Sequence, residues 1–105
     1  MPNPNLSAAA ARIREASVTD LASVAAGLAP VPSAVRDAVD FADEVIGAAL
    51  NVRYPAPVPD FLAMAFEDSG SLRALTEQPE PPLLAISLEG DRLARFVDGI
   101  ALLAL

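Results

Sequence analysis

The sequence predicts an all-α fold, a small bundle of four to five short helices joined by Pro-X-Pro corners. Three observations predict it. Ten prolines fall in four clusters: Pro2 and Pro4; Pro30 and Pro32; Pro55, Pro57 and Pro59; and Pro79, Pro81 and Pro82. Proline has no N–H and clashes with the preceding helical turn, so no helix runs through such a cluster. Between the clusters, apolar residues recur at steps of three and four, the spacing of one helix face. Alanine and leucine, both strong helix formers, dominate these stretches. The 105 residues make one domain, 1–105, with 1–4 as a flexible lead. A minor alternative is α+β, with a β-meander at the C-terminal end.

The proline-free segments are 5–29, 33–54, 60–78 and 83–105. Asn5 is placed to cap the first, and Ala8, Ala9, Ala10 and Ala11 follow it. Ser17-Val18-Thr19-Asp20 reads as a capping box for a second short helix carrying Leu21, Val24, Ala25 and Leu28, the alternative being one long helix that bends near Ser17. The segment 33–54 has the clearest pattern. Val35, Ala38, Val39, Ala42, Val45, Ile46, Ala49 and Leu50 form one stripe, with Ser33 as the expected cap. Phe41 lies off this stripe and widens the buried face.

Segment 60–78 is expected to start at Asp60, with Phe61, Leu62, Ala65 and Phe66 as its apolar face. Ser69-Gly70 should end that helix, and Ser71 should cap a short one bearing Leu72 and Leu75. In the last segment, Leu93, Phe96, Val97, Ile100 and Leu103 fit a helix over 91–104 capped by Asp91. The rival reading makes Leu83 to Leu88 a strand, Glu89-Gly90-Asp91 a turn and Asp98-Gly99 a hairpin turn. Helix and strand are evenly matched for Leu83 to Leu88.

Composition excludes several chemistries. There is no His, Cys, Trp or Lys in the chain. That removes a Ser-His-Asp triad, a thiolate nucleophile, a Cys or His zinc site and a lysine Schiff base. Asp and Glu number 14 against seven arginines, for a net charge of −7. Scattered arginines on an acidic chain argue against nucleic acid and against an anionic membrane surface. The longest uncharged run, Leu21 to Val35, is too short to span a bilayer and holds two prolines. No signal-like start is present, so the chain is expected in the cytoplasm.

The candidate chemistry is sparse. Asp37, Asp40, Asp43 and Glu44 lie along one side of a helix. With Glu67 and Asp68, or Glu77 and Glu80, they could hold Mg²⁺ for phosphate chemistry, or they are simply a solvated face. The arginines are expected to pair with nearby acids, such as Arg36 with Asp40. Arg53 beside Tyr54 could instead steer an anion. Tyr54-Pro55-Ala56-Pro57-Val58-Pro59 reads as a stiff connector or a polyproline ligand.

The C-terminus, Ile100-Ala101-Leu102-Leu103-Ala104-Leu105, has no polar residue, and mean hydropathy is +0.41. Such an end either fills the core or covers a partner. The function expected is therefore non-catalytic: an acidic helical interaction or assembly subunit, binding a protein partner or itself as a homo-oligomer. Phe61, Phe66, Phe96, Ile100, Leu103 and Leu105 are the candidate interface, and Asp37, Asp40, Asp43 and Glu44 the candidate acidic face. No cofactor, metal or catalytic residue is expected. The alternatives are an acidic inhibitor or antitoxin-like binder of a basic protein site, and a small Mg-dependent phosphohydrolase. A binder of a small apolar ligand between the helices is a further possibility.

Overall fold

The first helix begins where Asn5 places it. The Asn5 side-chain oxygen accepts the Ala8 N–H at 2.9 Å, satisfying a donor that the first turn leaves free. In the computed structural model, which describes residues 4–17, 27 and 29–105, α1 then runs Leu6–Ser17. The helix expected from Leu21, Val24, Ala25 and Leu28 lies outside the described residues, as do 1–3 of the expected lead.

Three longer helices follow: α2 Pro32–Leu50, α3 Val58–Thr76 and α4 Leu83–Leu103. All the secondary structure among the described residues is helical, so the β-meander is corrected to helix. Prolines stand at the starts. Pro32 opens α2, Pro57 precedes α3 with Pro59 in its first turn, and Pro82 precedes α4. Proline suits the first turn because its missing N–H would find no helical partner there. Neither Ser33 nor Asp60 acts as expected, since the residues before α2 and α3 are Val31 and Pro57, without side-chain caps. Asp60 instead sits inside the first turn, where a carboxylate meets the positive end of the helix dipole.

The helices form a ring. α1 packs on α4 and α2, α2 on α3, and α3 on α4, while α2 and α4 touch only slightly across the diagonal. The core contains Ile13, Val35, Val39, Ile46, Leu62, Leu72, Ile86, Val97 and Ile100, all buried. Small residues bring the axes close: Ala9, Ala10, Ala38, Ala42, Ala65 and Ala94 are also buried. The α2 stripe is buried as the spacing predicts from Val35 to Ala49 except that Val45 is half-buried, and Leu50 at its end is exposed.

Two expected breaks are absent. α3 continues through Ser69-Gly70 because Ser69 lies on its inward face, in the series Val58, Leu62, Ala65, Ser69, Leu72. The Ser69 hydroxyl is within reach of the Phe66 carbonyl at 2.8 Å and of the Asp43 carboxylate, so burial leaves it satisfied. That series turns Phe66 outward, contrary to the compact face expected for it.

α4 likewise continues through Glu89-Gly90-Asp91. Gly90 is buried where α4 crosses the end of α1. A Cβ there would lie 1.8 Å from Ser17 Oγ and 2.8 Å from Ser17 Cβ. The glycine serves close helix contact, which a turn reading misses. Ser87 Oγ donates to the Ser17 carbonyl at 2.8 Å, joining α4 to the last residue of α1. The Ser17 hydroxyl donates back to the Ile13 carbonyl at 2.7 Å.

Candidate functional site

The acidic stripe of α2 divides in two. Asp37 and Glu44 are exposed. Asp40 and Asp43 are turned toward α3, where Arg73 takes both. Arg73 donates to Asp40 Oδ1 from Nε at 3.1 Å and from Nη2 at 2.7 Å, and it also donates to Asp43. The Asp43 side chain is mostly covered and also faces the Ser69 hydroxyl. The hydrogen bonds that Arg73 donates, to Asp43 first and Asp40 second, raise its guanidinium above its ordinary value. A raised basic group stabilises the fold at all pH below its unfolded value and loses that effect only as pH rises through its folded one. Arg73 therefore stays charged at every pH near neutrality.

This arrangement replaces the expected Arg36–Asp40 pair with one that crosses between helices. It also sets a guanidinium where a cation on Asp40 and Asp43 would sit. Glu67, Asp68, Glu77 and Glu80 are exposed. Among the described residues no group of three or more His, Cys, Asp or Glu is placed to hold a metal ion.

The other arginines sit largely with partners nearby. Arg14 pairs with Asp98 across the α1–α4 contact, Arg92 with Glu89 at 3.6 Å and Arg95 with Asp91 at 3.0 Å. The Arg12 guanidinium lies 4.2 Å from the centre of the Phe41 ring, a cation–π contact joining α1 to α2. Arg53 is exposed. Half-buried Tyr54 lines an open cleft of about 370 Å³ with Leu6, Ala101, Ala104 and Leu105.

The candidate interface residues separate as well. Ile100 is 1 % exposed and belongs to the core of the ring. Phe61 and Phe96 pack edge to face between α3 and α4, with centroids 6.0 Å apart. Phe66, Leu103 and Leu105 are exposed, Leu105 completely. The apolar C-terminus is thus divided, with Ile100 facing inward and Leu102, Leu103 and Leu105 facing out.

The structure adds a surface that sequence reasoning missed. Leu84, Leu88 and Leu102 are 75 %, 61 % and 73 % exposed, on the side of α4 opposite Ile86, Leu93 and Val97. The signal was present as helical spacing from Leu84 through Leu88 to Leu102. The turn reading at Glu89-Gly90-Asp91 cut that series in two. No helix among the described residues is long and apolar enough to cross a membrane, so these leucines do not belong to a helical span.

Comparisons with protein-family models, curated proteins and solved structures return no match to this chain.

Proposed function

We propose that this chain is a non-catalytic assembly subunit that binds protein through apolar helix faces, chiefly the outward side of α4 and the leucines at its C-terminal end. The observation that carries this reading is the exposure of Leu84, Leu88 and Leu102 on one side of one helix. Burying a leucine side chain is worth about 1.5–3 kcal/mol, so a row of them held in water favours any partner that covers it. Phe66, Leu103 and Leu105 are further apolar side chains left exposed. In this reading the proline clusters are stiff corners that keep the ring rigid, and the subunit works in the cytoplasm.

The acidic-inhibitor and phosphohydrolase readings are weaker on a specific observation. Arg73 engages Asp40 and Asp43, leaving Asp37 and Glu44 as the exposed part of the stripe that it does not take.

The test compares the tagged chain with a Leu84→Glu, Leu88→Glu, Leu102→Glu variant by size-exclusion of extracts from its own cells. The parent is expected in a complex well above 10.9 kDa, and the variant at the mass of the free chain with unchanged circular dichroism. A parent that elutes from the extract as the free chain, and that also stays monomeric when purified and concentrated, overturns the reading.

A further inference from the structure

α4 gives an outward face whose residue order is self-complementary when reversed. At about 100° per residue, Leu84, Leu88, Asp91, Arg95, Gly99 and Leu102 fall within about 80° of one another around the helix. The face has leucines at both ends and one opposite-charge pair in the middle, Arg95 with Asp91. We infer that two copies of this chain pair through this face of α4, antiparallel, about a two-fold axis at the height of residue 93. The inference rests on the interaction reading above and names its partner as a second copy.

The register follows from the positions. An axis at residue 93 sets Leu84 opposite the partner's Leu102, and Leu102 opposite the partner's Leu84. It sets Arg95 opposite the partner's Asp91, and the reverse contact follows by symmetry. A two-fold interface requires this reciprocity, in which one residue meets a second and that second meets the first. Leu88 lands next to the partner's Gly99, which is exposed and has open space where a Cβ would stand, so a bulky side chain meets a gap.

Charge selects the direction. A parallel pairing in register would set Arg95 against Arg95 and Asp91 against Asp91. The antiparallel one joins the two Arg95–Asp91 pairs, one from each copy, into a single group of four alternating charges. The Arg95 side chain is well exposed, so it is free to turn toward a partner. Leu84 to Leu102 covers about 27 Å of helix. A single-helix face of that length makes an interface at the small end of the range, with a dissociation constant in the micromolar range.

The experiment uses the purified chain alone. Sedimentation velocity from micromolar to millimolar concentration should carry the mass from 10.9 kDa to twice that value. Leu88→Glu should weaken the dimer by about thirtyfold or more while leaving circular dichroism unchanged. Arg95→Asp should weaken it too, and Arg95→Asp with Asp91→Arg should restore it. The chain has no cysteine, so register is read by adding single ones. Under mild oxidation, Leu84→Cys mixed with Leu102→Cys should give a covalent dimer that neither gives alone.

A monomer at every concentration overturns the inference. So does a dimer untouched by Leu88→Glu, or one that Leu84→Cys cross-links by itself. If the purified chain is monomeric while the cell extract still holds a complex that the triple glutamate variant dissolves, self-pairing falls and the interaction reading stands.

Discussion

Gly90 and Ser17 pack tightly against each other where α1 meets α4. Any side chain at 90 meets the Ser17 side chain far inside contact distance. Gly90→Ala gains helix propensity of about 1 kcal/mol but must push α1 and α4 apart. The net expected cost is about 1–3 kcal/mol, read as a lower midpoint in a thermal melt. Adding Ser17→Gly removes both close atoms, so the double variant should recover part of the loss, and a double-mutant cycle measures that coupling. Arg73 is a further residue held by distant partners. Arg73→Ala should cost about 1–2 kcal/mol in urea unfolding, because it leaves the partly covered Asp43 without its cation. Arg73→Lys should restore little, since an ammonium does not reproduce the fork that reaches both Asp40 and Asp43.

Among the helices, α3 and α4 show how a glycine can be read wrongly. Gly70 is exposed in the interior of α3, with open space where a Cβ would stand. It has no packing role, so Gly70→Ala should stabilise by about 0.5–1 kcal/mol and raise the melting midpoint by several degrees. The opposite signs expected at Gly70 and Gly90 separate a tolerated glycine from a required one. The end of α4 makes a similar contrast. Removing 102–105 takes away mostly exposed side chains and should leave the helical spectrum intact. Removing 100–105 also takes away buried Ile100 and should cost a further 2–5 kcal/mol or so, a large part of what a small domain has.

For the whole molecule, cohesion comes from apolar burial around the ring. Apart from Arg73–Asp43, whose carboxylate is mostly covered, the ion pairs described are partly open to water, and such pairs contribute about 0–1 kcal/mol each. The net charge of −7 works against compaction. Raising salt to 1 M weakens both effects, so the melting midpoint should stay level or rise, and a fall of many degrees would show that ion pairs hold the ring. A ring of helices also has an outside. Each helix buries one stripe and turns the other to solvent, and on α4 the solvent stripe carries leucines.

Helical identity, the α2 stripe and the Asn5 cap follow from residues close in sequence, because periodicity and capping act within a few positions. The continuity of α3 and α4 through Ser69-Gly70 and Glu89-Gly90-Asp91 does not. It depends on Asp43 meeting Ser69 from 26 positions away and on Ser17 lying against Gly90. The same division holds for the surface. The leucines of α4 and the acids of α2 were visible as residues, but which side of each helix faces a neighbour was decided by the packing of the ring. That packing buried Ile100, left Leu102 in water, and brought Arg73 to Asp40 and Asp43, since a contact between distant positions exists only once the helices have met.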